Sequence, residues 1–254
     1  MGIIFDKPLI GVVMCQVEKE GHPAQIVHNK YLDPLVEAGA VPLALPHALT
    51  DSPDLLASAM AVLDGVLLTG SPSNIEPWHY GEEGSEEHAD PGRDRLAFAV
   101  LTQAIGKKMP ILAICRGMQE LAVVNGGSLY RQLSQQPGLL RHHEDHSQPL
   151  AQQYAPAHEV FITPDGLLHR LLNGCERLWV NSLHQQGIRE PGPQLRIEAR
   201  AGDGLIEALS LRHHPFALAL QWHPEWRAAE SPVSRQLFAG FIEASLCYHK
   251  EKRP

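Results

Sequence analysis

The sequence contains no apolar run long enough to cross a membrane. Its first apolar run, residues 9–15, falls far short of the ~20 residues that a bilayer span requires. The run is not shaped like a signal peptide either, because Lys7 and Pro8 directly precede it and no small-residue cleavage site follows. We therefore expect no membrane partner and a cytoplasmic location.

Cysteine and basic residues are both scarce. Four cysteines occur in 254 residues, and no two of them form a CxxC pair. A disulfide framework or a zinc ribbon needs denser spacing, so reduced thiols in a cytosolic protein are the simpler interpretation. Lys and Arg number 21 against 29 Asp and Glu, which gives a formal net charge of −8. Such a chain repels phosphate backbones, so no nucleic-acid partner is expected.

The length and the apolar content, 254 residues of which 44% are hydrophobic, suffice for a sizeable core. Short and nearly continuous apolar runs predict strands buried on both faces of a sheet, at residues 9–15, 41–45, 66–69 and 111–115. Helical patterns follow them in turn, at residues 30–38, 53–63, 93–105 and 116–125. This alternation predicts a three-layer α/β fold with a doubly wound, mostly parallel, flavodoxin-like sheet.

The second half of the chain has a different pattern. Short apolar runs with few helices between them predict added antiparallel strands, at residues 159–162, 177–180, 195–199, 206–211 and 217–222. Residues 233–248 predict a closing helix, residues 251–254 a loose tail, and the acidic segment 82–94 a long surface loop. We expect a single domain over residues 1–254.

Cys115 lies where a sheet of this kind binds its ligands, after a strand and directly before a helix. A sharp strand-to-helix turn exposes such a side chain, and the helix N-terminus favours a thiolate. Gly117 permits close packing at the turn, whereas Ala113 stands where the usual G-x-C-x-G elbow has its first glycine. A cysteine in an apolar run is more often an inert core residue. The prediction that Cys115 is a nucleophile therefore rests on its position between a strand and a helix.

His223 is the candidate base and Glu225 its candidate partner. Pro224 keeps His223 extended, and residues two apart in an extended chain point the same way. The carboxylate can then accept a hydrogen bond from one imidazole nitrogen while the other faces a thiol. Any one of 15 histidines is weak support by itself. The pairs at 142–143 and 213–214 are expected on the surface without a metal, because adjacent side chains point apart.

Three ordered stretches resemble the class I glutamine amidotransferase-like fold: AICRGMQE (113–120), LLTGSPSNIEPWHYG (67–81) and LQWHPEW (220–226). Within that fold the chain is similar to the gamma-glutamyl-gamma-aminobutyrate hydrolases of bacterial putrescine breakdown, of the peptidase C26 type. VNSLHQQGI (180–188) and YAPAHEV (154–160) match that group too. The resemblance covers nearly the whole chain, and three ordered motifs are much more specific than one.

The resemblance implies a hydrolase that needs no cofactor or metal and acts on a small-molecule γ-glutamyl amide. Cys115 would attack the γ-carbonyl, and His223 would pass the thiol proton to the leaving amine. Water would then release glutamate from a thioester.

The resemblance also implies the residues that hold the substrate. The oxyanion would lie between the Arg116 backbone N–H and an N–H of the Gly70 turn, where Ser71 replaces the second glycine of many relatives. The expected contacts of the glutamyl group are Ser71, Gln119, Ser182, Leu183 and His184.

Two other functions stay open at this point. A glutaminase subunit would feed ammonia to a synthase on a separate chain, and its glutamine turnover would rise with that partner. A non-catalytic binding protein of the same fold would have lost one of Cys115, His223 and Glu225, and all three are present.

The leaving amine and the assembly are open as well. An acidic segment 82–94 folded over the cleft would favour cationic polyamine tails over γ-aminobutyrate, and a solvated loop is the alternative. A homodimer is only the default assembly.

Overall fold

The computed structural model describes residues 7–252, which form an 11-stranded sheet, a separate two-stranded hairpin and helices on both faces. The strands in chain order are β1 (Leu9–Val13), β2 (Cys15–Lys19), β3 (His22–Ile26), β4 (Val41–Leu45), β5 (Gly65–Leu68), β6 (Ile111–Ile114), β7 (Ser128–Tyr130), β8 (His158–Ile162), β9 (Arg177–Val180), β10 (Gly187–Glu190), β11 (Leu195–Ala201), β12 (Ile206–Leu211) and β13 (Ala217–Leu220). The α-helices are α1 (Asn29–Glu37), α2 (Pro53–Val62), α3 (Pro91–Gly106), α4 (Arg116–Val124), α5 (Leu150–Gln153), α6 (Leu167–Leu171) and α7 (Pro232–Lys252).

Five neighbouring strands, in the order β4-β1-β5-β6-β13, run parallel. Antiparallel strands continue the sheet through β12, β11, β8 and β9. The mostly parallel α/β fold with added antiparallel strands is therefore confirmed. The prediction for residues 217–222 was wrong in direction, because β13 returns to the centre of the sheet, parallel to β6 and buried throughout.

Side chains that alternate along each strand build the core on both faces of the sheet. Val66 and Leu68 of β5 pack with Leu96 of α3. Leu67, which points to the opposite face, packs in a second core with Phe241 of α7. Since both faces are covered by helices, the central strands are as continuously apolar as the sequence suggested.

The expected burial of one strand and several expected boundaries were wrong. β4 lies at the sheet edge, and only Leu45 in it is buried. The acidic loop ends at Asp90, whose carboxylate caps α3 by accepting from the Arg93 N–H at 3.0 Å, so Asp94 is buried rather than in a surface loop. α7 extends through Glu251 to Lys252, which removes half of the expected tail, and residues 253–254 lie outside the described range.

The β2–β3 hairpin was not predicted. The apolar run at residues 9–15 divides at Met14, and the chain then turns back through Glu20 and Gly21, both at positive φ (55° and 75°). Two such residues form the tight turn that suits the twist of a hairpin. Among residues 7–252, no helix combines the length and the apolarity of a membrane span.

Candidate active site

Cys115 occupies the turn between β6 and α4. Its backbone lies at φ 53° and ψ −106°, a region that residues other than glycine rarely adopt. The Cys115 N–H donates to the Leu220 carbonyl oxygen at 2.7 Å, and the Cys115 carbonyl oxygen accepts from the Met118 N–H at 3.0 Å. These bonds hold a sharp, strained elbow that points the sulfur out of the sheet edge, as the sequence predicted.

Two glycines make this elbow possible. A Cβ at Gly117 would lie 2.5 Å from the Leu68 carbonyl oxygen, so the helix can approach β5 only without a side chain there. A Cβ at Gly70 would lie 2.8 Å from His223 Cε1 and 3.3 Å from Cys115 Cβ. Gly70 therefore sits directly against both the candidate nucleophile and the candidate base, which the fold brings together from distant parts of the chain.

His223 and Glu225 follow β13, whose Leu220 pairs with Ile114 just before the elbow. The His223 Nδ1 and Glu225 Oε1 atoms are 2.7 Å apart, and both side chains are buried. Asn181 fixes the histidine backbone from both sides: its Oδ1 accepts from the His223 N–H at 2.8 Å, and its Nδ2 donates to the His223 carbonyl oxygen at 3.1 Å. Nε2, the other ring nitrogen, is thus left for the thiol side.

The electrostatics of this pair favour a charged histidine. Burial acts to lower the pKa of His223, but the Glu225 carboxylate and the Cys115 sulfur outweigh it and raise that pKa to about 10. Burial likewise acts to raise the pKa of Glu225, while the His223 ring and Lys30 lower it to about 2. At neutral pH the site therefore holds an imidazolium between a carboxylate and the sulfur, the arrangement that stabilises a thiolate nucleophile.

Lys30 is part of this site, although no sequence motif pointed to it. Its Nζ lies 2.8 Å from Glu225 Oε1 and donates to Tyr154 Oη at 2.6 Å. Tyr154 in turn stacks on Trp226, with ring centroids 4.4 Å apart. Lys30 opens an ordinary helical pattern without a motif, whereas Asn181, also missed, lies inside the VNSLHQQGI stretch and could have been found there.

The backbone N–H groups at the mouth of the site differ in their availability. The Gly70 N–H donates to Tyr31 Oη at 2.9 Å. The N–H groups of Arg116 and Ser71 have no acceptor within residues 7–252. The N–H groups of Arg116 and Ser71 are therefore open as donors in this conformation, whereas that of Gly70 is not.

Two cavities meet at Cys115. The larger, of about 750 Å³, is lined by Lys30 and Tyr31 of α1 and by Tyr154 and Trp226, among other residues. The smaller, of about 120 Å³, reaches Gln119. Both are lined by Ser71, Pro72, Cys115, Glu144 and Leu183. A substrate bound across the sulfur would therefore place one end in each cavity.

Four of the five expected substrate contacts line these cavities: Ser71, Gln119, Leu183 and His184. Ser182 lines neither cavity, and its hydroxyl donates to the His142 carbonyl oxygen at 2.9 Å. Gln119 is anchored by Nε2, which donates to the Gln186 carbonyl oxygen at 2.9 Å, and burial lowers the pKa of His184 well below its usual value. The two side chains are therefore held in place and neutral.

The acidic segment does not cover the cleft. Glu82 pairs with Arg189 at 3.0 Å, Glu86 with Arg131 at 3.8 Å, and none of the segment's carboxylates lines either cavity at Cys115. Glu82 and Glu86 are instead used in these ion pairs with arginines. The structure thus gives no support to the idea that this segment selects cationic substrates.

The histidine pairs are not both at the surface. His142 is only 1% exposed, with Nε2 2.8 Å from Asp203 Oδ2, and His214 is partly buried. The expectation was wrong for His142 because adjacent side chains point in opposite directions, so one of a pair can face the interior while its neighbour faces solvent.

Comparison with known proteins identifies the relatives of this chain. The family model described as Peptidase C26 matches residues 8–225. The chain is 53% identical over 250 residues to "Gamma-glutamyl-gamma-aminobutyrate hydrolase PuuD" of Escherichia coli K12, covering 98% of both chains. It is 33% identical to "Protein NtpR" of Enterococcus hirae, covering 93% of this chain and 98% of that protein.

Solved structures resemble the fold at low sequence identity. One is the glutaminase domain of Trypanosoma brucei CTPS with bound acivicin, at a TM-score of 0.62, 15% identity and 94% coverage of both chains. Another is a glutamine amidotransferase from Thermotoga maritima, at a TM-score of 0.58 and 16% identity, covering 97% of this chain and 99% of that chain. These likenesses establish the class I glutamine amidotransferase fold.

Proposed function

This chain belongs to the peptidase C26 family, and we propose that it is an enzyme that hydrolyses the γ-glutamyl amide bond of γ-glutamyl-γ-aminobutyrate. The observation that carries the proposal is the convergence of the Cys115 elbow with the buried His223–Glu225 pair at 2.7 Å. The 53% identity to the E. coli hydrolase over 98% of both chains supports the substrate. We further place the reaction in cytoplasmic putrescine and polyamine breakdown, as the motif resemblance implies.

The reaction proceeds in two steps. The Cys115 thiolate attacks the γ-carbonyl carbon, and the carbonyl oxygen becomes an oxyanion held by the backbone N–H groups of Arg116 and of the Gly70–Ser71 turn. As the C–N bond breaks, His223 Nε2 gives its proton to the departing nitrogen, which leaves as the free amine. A glutamyl thioester remains on the sulfur.

Water completes the cycle. His223, now neutral, takes a proton from a water molecule that attacks the thioester carbonyl. Breaking the C–S bond returns the thiolate, releases glutamate and leaves the imidazolium charged again. Glu225 keeps the ring in the tautomer and orientation that both steps need, and Lys30 holds Glu225 in turn.

The two cavities suggest how the substrate lies. The smaller one, with Gln119 and His184, takes the glutamyl end, and the larger one takes the leaving amine. An ammonia-producing glutaminase needs no room for a leaving group, so the larger cavity of about 750 Å³ favours a hydrolase of substituted amides over a glutaminase subunit.

A release assay over a set of γ-glutamyl amides tests the activity. We expect the highest kcat/KM with γ-aminobutyrate as the leaving group, lower values with putrescine and spermidine, and little ammonia from glutamine. Free amine and glutamate would be measured together, with the Cys115→Ser enzyme as the blank. Glutamine turnover equal to that of γ-glutamyl-γ-aminobutyrate would overturn the substrate assignment and favour the glutaminase.

Lys30 is expected to select the charge of the leaving amine, because its ammonium lines the larger cavity with a side chain 19% exposed. Lys30→Met should raise KM for γ-glutamyl-γ-aminobutyrate about tenfold more than for γ-glutamyl-putrescine, since one charge contact of about 1.4 kcal/mol is lost for the anionic tail only. Steady-state kinetics on both substrates measure this ratio.

Two variants accompany Lys30→Met. Lys30→Arg keeps the charge and should keep the preference, and Lys19→Met, on the exposed hairpin, should change neither KM. A loss of kcat that is equal for both substrates would mean that Lys30 serves only to hold Glu225.

A further inference from the structure

Three buried histidines converge on one buried carboxylate behind the candidate active site. His142, His158 and His184 are at most 6% exposed, and Glu207 of β12 is fully buried. Glu207 Oε1 lies 3.4 Å from His142 Nδ1, 3.3 Å from His158 Nε2 and 3.8 Å from His184 Nε2. Within residues 7–252, no lysine or arginine pairs with this carboxylate, so its charge has no fixed positive partner.

The polar atoms at the centre of this cluster lack hydrogen bonds. Across residues 7–252, three side chains of the cluster have polar atoms without a hydrogen-bond partner. These atoms are both oxygens of Glu207, both ring nitrogens of His158 and Nε2 of His184. Buried polar groups in folded proteins are nearly always paired, and an unpaired buried carboxylate is especially costly. So many unpaired atoms at one point indicate that a positively charged group belongs between them.

The hydrogen bonds on the far sides of two rings locate their protons. His142 Nε2 donates to Asp203 Oδ2 at 2.8 Å, and His184 Nδ1 donates to the Gln186 carbonyl oxygen at 2.9 Å. In a neutral ring the other nitrogen then carries a lone pair. These lone pairs face the carboxylate, acceptor against acceptor. The Ser182 hydroxyl, 3.3 Å from His142 Nδ1, does not relieve this contact because it gives its proton to the His142 carbonyl oxygen.

We propose that these side chains form a zinc site, with His142 Nδ1, His158 Nε2 and Glu207 as ligands and His184 Nε2 as the fourth. Imidazole nitrogen and carboxylate oxygen are common zinc ligands. In a tetrahedral site with zinc–ligand bonds of 2.0–2.1 Å, neighbouring ligand atoms lie about 3.3 Å apart. The separations of 3.3 and 3.4 Å match this value, and the His142, His158 and Glu207 ligand atoms all lie within 4.8 Å of one another.

The surroundings have the features of a structural metal centre. Asp203 accepts from the ring of His142 on the side away from Glu207, as carboxylates commonly do behind zinc-bound histidines. Four protein ligands in a buried setting leave no open position, which is typical of a structural rather than a catalytic zinc. The zinc lies outside the hydrolytic mechanism, so the proposal goes beyond the proposed function.

The ligands come from four separate segments, and this suggests what the metal does. His158 and Glu207 lie on β8 and β12, whereas His142 and His184 lie in connections without regular structure. The His142 carbonyl oxygen also accepts from the His184 N–H at 2.9 Å. Zinc would therefore fix the segment that carries Leu183, which lines both cavities at Cys115.

Zinc titration of the full chain tests the site. The Cys115→Ser protein is used throughout, because this change removes the active-site thiol as a competing ligand. After chelator treatment, calorimetry and metal analysis should give about one zinc ion per chain, and zinc should raise the midpoint of thermal unfolding. Asp203→Asn should weaken zinc binding about 10–100-fold, His158→Gln should weaken it more, and His213→Gln, an exposed histidine outside the cluster, should leave it unchanged.

Two results would overturn the proposal. One is a chelator-treated protein that takes up no zinc, and the other is a His158→Gln protein with undiminished zinc affinity. A cluster whose unfolding midpoint responds to pH but not to zinc would instead share protons as a histidinium–glutamate group. If His158→Gln fails to fold, Asp203→Asn still decides, because it keeps the shape of the carboxylate and removes only its charge.

Discussion

Replacing Cys115 with serine is expected to lower kcat/KM for γ-glutamyl-γ-aminobutyrate by about four orders of magnitude or more. Loss of a nucleophile costs on this scale in enzymes whose nucleophile and base act as a unit. Serine fits the elbow, but its hydroxyl does not ionise at neutral pH, so the charged His223 has no thiolate to pair with. The remaining binding groups cannot form the thioester.

The comparison needs a cysteine that lies away from the site. Cys175 is only partly exposed, and its thiol donates to the Arg177 carbonyl oxygen at 2.9 Å. Cys175→Ser should therefore keep full activity in the same release assay. Thermal unfolding of both variants should match that of the parent protein. Turnover that survives in a folded Cys115→Ser protein would rule out thiol catalysis and, with it, the proposed mechanism.

The alternating strands and helices of the parallel half of the sheet, and the pairing of His223 with Glu225, could be predicted from the sequence. Short apolar runs specify buried parallel strands because both faces of such strands are covered. The elbow at Cys115 and the spacing of His223 and Glu225 are local features of the backbone, so they can be inferred from a few neighbouring residues. The same reasoning placed Gly117, whose missing side chain admits Leu68.

The contacts that were missed are those between distant segments. Lys30 reaches Glu225 only because α1 packs near the end of β13, and no local pattern encodes that approach. The burial of His142 was missed because its partners, Asp203 and Glu207, lie more than sixty residues further along the chain. Side chains whose roles depend on tertiary packing therefore cannot be identified from the spacing of residues in the sequence alone.

The backbone N–H groups of Gly70 and Ser71 show a further limit of prediction from the sequence. The sequence located the turn but not the direction of each N–H, which depends on whether the Tyr31 hydroxyl accepts from Gly70. Tyr31 belongs to α1, so the same helix that supplies Lys30 also decides which backbone donor is free. The identity of the oxyanion donor is thus a property of the packed site rather than of the turn sequence.

Glu225→Gln is expected to lower kcat about 10³–10⁴-fold, the cost of removing the carboxylate behind a catalytic histidine. The amide keeps the shape of the side chain but cannot hold the imidazolium, and it leaves Lys30 without its ion-pair partner. Both the orientation of the His223 ring and its charge depend on this carboxylate. Single-turnover release of γ-aminobutyrate measures the loss.

The Glu225→Gln change should also alter the pH dependence of the activity. Glu225 helps to raise the pKa of His223 from 6.5 to about 10, so the charged ring, and activity with it, should be lost only as the pH approaches 10. Without the carboxylate, nothing from Glu225 offsets the lowering of the His223 pKa by burial. The alkaline limb of the pH–activity profile should therefore move to lower pH. Glu230→Gln, on an exposed glutamate, should leave the limb in place.

The folded state should respond in the matching direction. The raised pKa of His223 contributes stability that is complete below pH 6.5 and lost as the pH rises towards 10. The lowered pKa of Glu225 contributes stability that is present above pH 4.5 and lost as the pH falls towards 2. The Glu225→Gln protein should therefore lose the acid dependence in thermal unfolding and keep only a weaker alkaline dependence, because Cys115 still raises the pKa of His223. An alkaline limb that stays near pH 10 in this variant would mean that Glu225 does not control the charge of His223.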